Sequence, residues 1–340
     1  MNTQQQNQLI NLEQVIRETK PELKDSSINV YITNLSKLYK YVMNTHDDEI
    51  ETLDFIFNLP KIDKFLEKKS LKTKANYYNN VITLYKYLIE LKKVNNPQIN
   101  NLYIEVQQRK SGYNYDIKKK TIENNKSKTK QEKIITMNEY NKFVNVLFER
   151  GHIQDYIIYK LLSIMPFRNE IATLLKMTPR QYKDLSKEEK RTKNYILLDR
   201  KGEKFYFIRN DYKTANKYGT IKTIFEKEHN EKFYTELLDW FNHSTTEYLF
   251  TKDEGKSDSP YRTQDISARL GYISNKYLGI GLSTSDIFKV IIANYKGGEM
   301  ADYINFIKEK GRIRGTDVNT IIDHYVYKNT NTPAFEDSDE

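Results

Sequence analysis

Tyr195-Ile196-Leu197-Leu198, then Asp199-Arg200-Lys201-Gly202, then Phe205-Tyr206-Phe207-Ile208 read as two strands joined by a glycine-containing turn. Runs of β-branched and aromatic residues on either side of such a turn predict a hairpin. The chain continues as Asn210-Asp211-Tyr212-Lys213-Thr214-Ala215-Asn216-Lys217-Tyr218-Gly219 and then Thr220-Ile221-Lys222-Thr223-Ile224, a turn-rich segment followed by a third strand. These three strands predict one small antiparallel sheet.

Around the sheet the periodicity is helical. Apolar residues recur at i, i+3, i+4 and i+7 over 137–149 and 153–165, and again over 230–243, 263–278, 285–296, 299–310 and 317–327. Residues 134–330 therefore predict a mainly α domain carrying a small antiparallel sheet. Residues 9–108 predict a second, all-helical domain. One of its helices carries Ile28, Tyr31, Ile32, Leu35, Leu38, Tyr39 and Val42, with Ser26 or Ser27 as N-cap. Another carries Ala75, Tyr78, Val81, Ile82, Tyr85 and Leu88 after the N-cap Ser70. The tetrapeptide Leu-Tyr-Lys-Tyr occurs in both, at 38–41 and 84–87, as expected of paired helices in one bundle. Between the domains, residues 109–133 hold nine Lys or Arg against three acids and almost no large aliphatics. Such a segment reads as a basic linker that cannot bury enough surface to order itself. Residues 331–340 read as an acidic disordered tail.

The 340 residues include 55 Lys plus Arg against 46 Asp plus Glu, a formal net charge of +9 with a pI near 9.1. That balance favours a polyanionic partner, nucleic acid before an anionic membrane surface, although a Lys- and Asn-rich composition alone would also raise it. There is no cysteine, which excludes disulfides, thiolate metal sites and cysteine nucleophiles. Met1 to Gln8 is polar, without the apolar core of a signal peptide. No apolar run approaches the roughly 18 residues of a membrane span. A soluble, intracellular protein without a membrane segment is expected.

Three residues suggest phosphoryl chemistry. A tyrosine can attack a phosphodiester and store the bond as a phosphotyrosine; Tyr325 lies at the end of Gly315-Thr316-Asp317-Val318-Asn319-Thr320-Ile321-Ile322-Asp323-His324-Tyr325. An arginine fork can hold the non-bridging oxygens; Arg168 lies in Met165-Pro166-Phe167-Arg168-Asn169-Glu170-Ile171. A lysine can protonate the leaving oxygen; Lys213 lies in the turn after the second strand. The five histidines show no metal-ligand spacing and no acidic cluster suggests a two-metal site, so neither metal nor cofactor is expected.

These stretches resemble the tyrosine recombinases, the phage-integrase family, and in particular the integrase-like members of large DNA viruses and virophages. The likeness covers residues from about 9 to 327, with 9–108 similar to the family's helical core-binding domain and 134–330 to its catalytic domain. It implies that Arg168 grips the scissile phosphate, with Glu170 orienting it. Lys213 becomes the general acid, with Lys217 as the alternative. The family's Gly-His, eight residues, Tyr pattern maps onto Gly315, Thr316 and Tyr325, with Thr316 in place of histidine and Tyr327 as the other candidate nucleophile. The family's His-x-x-Arg falls on Ser285 and Phe288, and a phenylalanine cannot bind a phosphate oxygen. Lys289, Arg312 and Arg314 are the cations that could replace the absent arginine. Lys118, Lys119 and Lys120 in the basic linker would touch the DNA backbone.

The resemblance implies a site-specific recombinase or integrase clamped on double-stranded DNA, working as a homo-tetramer on two duplexes through a 3′-phosphotyrosine. Two alternatives stay open. One is a catalytically degenerate DNA-binding protein on the same fold, which Phe288, Ser285 and Thr316 favour. The other is a DNA-relaxing enzyme of the type IB topoisomerase kind.

Overall fold

The computed structural model describes residues 9–47, 49–126, 135–256, 259–295, 297 and 300–325. Tyr327, the tail at 331–340 and the last part of the linker segment lie outside the described residues. The chain divides into two units, Met1–Thr121 and Ile122–Glu340.

Unit 1 is helical: α1 (Leu12–Thr19), α2 (Asp25–Met43), α3 (Leu59–Leu66), α4 (Leu71–Lys86) and α5 (Pro97–Lys126). Ser70 caps α4 by accepting the Thr73 N–H, as its sequence suggests, and Asn11 caps α1 in the same way. For α2 the expectation fails. The helix starts at Asp25, ahead of both serines, and its N-cap Lys24 provides no side-chain bond. An acidic residue in the first turn suits the helix dipole there instead. The core is formed by Ile28, Leu35 and Leu38 of α2, Tyr78, Val81 and Tyr85 of α4, and Ile99 and Val106 of α5.

The predicted linker is corrected over much of its length: residues 109–126 continue α5. The charge count hides a stripe. Val106, Tyr113, Ile117 and Thr121 recur at helical spacing and are less exposed than their neighbours, and the Tyr113 ring stacks on Tyr78 at 5.8 Å. Lys118, Lys119 and Lys120 stand exposed on this helix, at the end of unit 1.

Unit 2 opens with α6 (Met137–Glu149), started by a Thr136–Glu139 capping box, and α7 (Ile153–Ile164). A 3₁₀ turn (Asn169–Thr173) leads into β1 (Leu174–Met177), then α8 (Pro179–Asp184) and α9 (Lys187–Thr192). The hairpin follows as β2 (Asn194–Asp199) and β3 (Lys204–Arg209), then α10 (Ala215–Tyr218) and β4 (Ile221–Glu226). The unit continues with α11 (Glu231–His243), α12 (Thr263–Leu278), α13 (Thr284–Ala293), α14 (Met300–Arg314) and α15 (Val318–Tyr325). The chain is thus mainly helical with one small sheet. That sheet is mixed rather than antiparallel: β1 pairs parallel with β2, and β2, β3 and β4 pair antiparallel in that order.

The sheet is covered on both faces. Ile196, Leu198, Phe205 and Phe207 point into the main core with α6, α7 and α12, while Tyr195, Leu197 and Ile208 pack under Tyr182 and Leu185. Double burial explains why β2 reads as a continuous apolar run rather than an alternation. A separate small cluster of Phe288, Ile292, Tyr303, Ile307 and Ile321 ties α13, α14 and α15 together, with Tyr325 partly buried at its edge. Among the described residues no helix is long and apolar enough to cross a membrane.

Candidate active site

The site lies within unit 2, where segments far apart in sequence meet around Gly315. Arg168 caps the 3₁₀ turn after α7 in extended backbone geometry. Its guanidinium Nη2 donates to Thr316 Oγ1 at 2.7 Å and to the Gly315 carbonyl at 3.4 Å. Thr316 is buried, and since its oxygen accepts from Arg168, its own proton remains available to an incoming acceptor.

Glycine is required at 315. Its φ is +65°, and a Cβ there would stand 2.7 Å from Tyr212 Cε2 and 3.1 Å from Thr214 Oγ1. The missing side chain lets the Lys213 turn press against the Arg168 segment: Thr214 Oγ1 donates to the Gly315 carbonyl at 2.7 Å. That turn is itself held rigidly. Buried Asn194 accepts the Asn210 and Asp211 N–H groups, each at 2.9 Å, and donates to the Asp211 carbonyl at 2.8 Å. Lys213 is exposed at its tip. Gly311 plays a similar part inside α14, where a Cβ would meet the Thr316 carbonyl at 2.9 Å.

Of Lys289, Arg312 and Arg314, it is Arg314 that lies against Phe288 and Ser285. Its side chain is 1% exposed, with the guanidinium 4.5 Å from the Phe288 ring centre and 5.8 Å from that of Tyr325. Nη1 donates to the carbonyls of Pro166, Phe167 and Thr284 at 3.2, 3.1 and 3.4 Å, and Nη2 donates to Ser285 Oγ at 3.1 Å. Burial pushes its pKa down to about 10, opposed by the electrostatic interaction with Tyr325. The Tyr325 ring sits edge-on to Phe288 at 4.9 Å. Arg168, Ser285, Arg314, Thr316 and Tyr325 thus form one connected constellation.

Beneath it lies an ion pair that the sequence reading missed in part. Glu170 is buried, and its carboxylate accepts from Arg209 Nη1 at 2.7 Å and from the Arg168 N–H at 3.3 Å. Arg209 is fully buried, stacks 4.6 Å from the Phe167 ring centre and donates through Nη2 to the Ile313 carbonyl. Burial lowers its pKa, and the Glu170 charge opposes that shift. Glu170 therefore binds the scaffold. The available signal was a cationic residue closing the apolar strand Phe205-Tyr206-Phe207-Ile208.

Other candidates are placed elsewhere. Lys289 pairs with Asp286 at 3.0 Å on its own helix. Lys217 pairs with Asp317 at 3.6 Å. Arg312 is exposed and, with Tyr218, Lys222, Lys308 and Asp317, lines an open cavity of about 440 Å³ beside Thr316. No family model, no curated protein and no solved structure matches this chain.

Proposed function

We propose that this chain is a tyrosine-type DNA strand transferase, a site-specific recombinase or integrase in which Tyr325 is the nucleophile. One observation carries the reading: Arg168 bonds Thr316, two residues on from Arg314, whose guanidinium lies 5.8 Å from the Tyr325 ring centre, although the chain separates Arg168 from Tyr325 by most of unit 2. Two arginines beside a tyrosine suit a phosphodiester. Their forks oppose the charge on its non-bridging oxygens while the phenol oxygen attacks phosphorus. The P–O bond to Tyr325 forms as the bond to the 5′-oxygen breaks; the phenol releases its proton to solvent water, and Lys213 gives the leaving oxygen a proton. A 5′-hydroxyl of a second strand reverses the step and frees the tyrosine. Phe288 takes no part in binding the phosphate; its ring supports Arg314 and Tyr325. The partner is double-stranded DNA, engaged by a homo-tetramer on two duplexes.

A second reading has one observation of its own. Arg314 already donates to three main-chain carbonyls, as an arginine in a purely structural role would. On that reading the chain binds DNA without cutting it.

Covalent trapping separates the readings. The purified protein is incubated with nicked duplexes from sequence flanking its own gene, and DNA-linked protein is sought on a denaturing gel. A band that Tyr325→Phe abolishes and Tyr327→Phe retains establishes the strand transferase. Tight binding without any band establishes the silent DNA-binding protein. Relaxation of supercoiled DNA by a monomer assigns the topoisomerase-like chemistry instead.

A further inference from the structure

Four helical segments of unit 1 bring a second set of cations together, away from the residues discussed so far. Lys20, just after α1, donates through Nζ to the Tyr31 hydroxyl oxygen on α2 at 3.1 Å. Asn79 of α4 donates through Nδ2 to the same oxygen. Lys110 of α5 donates to Asn79 Oδ1 at 2.7 Å. Lys86 follows Asn79 by two turns on α4, which puts the two on the same face of that helix.

The chemistry of this network is one-sided. The Tyr31 oxygen accepts from two donors, so its own proton points away from both. Lys20, Lys86 and Lys110 are all partly buried, and among the described residues no carboxylate pairs with any of them. Burial first, and then Lys20 and Lys86, lower the Lys110 pKa. Three ammonium groups without an ion-paired carboxylate among the described residues, beside an outward hydroxyl proton, offer an anion both charge and a hydrogen bond. The arrangement is held by hydrogen bonds among Tyr31, Asn79 and Lys110, so it is formed before the anion binds.

We infer that Lys20, Tyr31, Lys86 and Lys110 form a phosphate subsite in the helical unit that takes a backbone phosphodiester of double-stranded DNA. The choice of DNA as the source of the phosphate rests on the function proposed above. The subsite itself involves none of the residues around Tyr325.

The test measures binding of the full-length chain to a short fluorescent duplex by anisotropy across a salt series. Lys110→Gln and Lys86→Gln are each expected to weaken binding about three- to ten-fold near 0.1 M salt. Each should also reduce the slope of log affinity against log salt by about 0.9, the signature of one lost phosphate contact. Lys227→Gln is the charge-matched control, because Glu203 already engages that ammonium at 2.7 Å; it should leave the slope unchanged. The Lys86 side chain makes no hydrogen bond among the described residues, so its variant keeps the test valid if Lys110→Gln disturbs folding. Wild-type slope and affinity in both lysine variants would overturn the subsite and leave the proposed function intact. Failure of the wild-type chain to bind any duplex would overturn both. Stabilisation by inorganic phosphate over matched chloride, lost in the variants while duplex affinity is unchanged, would reassign the cluster to a free anion and overturn the DNA assignment.

Discussion

The guanidinium of Arg314 lies over the ring of Phe288, 4.5 Å from its centre. Phe288, on one helix, thus supports the buried cation carried by another. Cation and ring are both buried, the setting in which such a contact reaches about 2 kcal/mol.

Putting an arginine at position 288 should therefore be costly. Phe288→Arg places a second cation beside Arg314 in a buried pocket, and an uncompensated buried charge costs about 3–5 kcal/mol. Chemical denaturation should show that loss, and covalent capture of DNA should not rise above wild type. The swap Phe288→Arg with Arg314→Phe should recover part of the stability. A gain in capture from Phe288→Arg alone would contradict the supporting role assigned to Phe288 under the proposed function.

Gly315→Ala tests the junction at the centre of the site. Strained φ and the Tyr212 clash predict a loss of about 1–3 kcal/mol in thermal or urea unfolding. Capture should fall further than stability accounts for, because the Lys213 turn and the Arg168 segment meet at this residue. An unchanged melting temperature would show that the left-handed geometry is dispensable.

The Arg209–Glu170 pair predicts a pattern across variants. Glu170→Gln leaves a fully buried guanidinium without its counter-charge and should cost about 3–5 kcal/mol. The double variant Glu170→Leu with Arg209→Met should be less destabilised than either single change, because two well-packed apolar residues leave no orphaned charge. A double-mutant cycle with purely additive losses would contradict the pairing.

Thr316→Val removes the hydroxyl that accepts from Arg168 at 2.7 Å and otherwise keeps the shape. Duplex affinity should be unchanged. The single-turnover rate of covalent capture should drop about ten-fold or more, since losing one preorganised donor at a phosphate costs a few kcal/mol at the transition state. Equal losses in affinity and rate would place Thr316 in general DNA binding instead.

Much of the architecture is legible in the residues. The apolar stripes of α6 and α12 gave their helices residue for residue, and the turn at Asp199-Arg200-Lys201-Gly202 announced the hairpin. β1 was not legible: four residues long and parallel to its neighbour, it has no turn signal linking it to β2. α5 was misread for a different reason, since its lysines outnumber the few residues that actually pack. Among the site residues, Arg168 and Arg314 could be nominated as candidates, but choosing between Arg314, Arg312 and Lys289 required knowing which helix end turns inward. The role of Arg209 is invisible in one dimension, because its partners Glu170 and Ile313 lie far from it on either side.

Those two partners also set an order of assembly. As a ribosome releases the chain, Glu170 and Arg209 are available well before the Ile313 carbonyl that completes the shell around the Arg209 guanidinium. Arg314 and Tyr325 emerge later still. The nascent sheet must therefore wait with a half-satisfied cation at its centre. The same short stretch, Ile313 and Arg314, therefore completes the shell around Arg209 and supplies the cation that meets the Tyr325 ring.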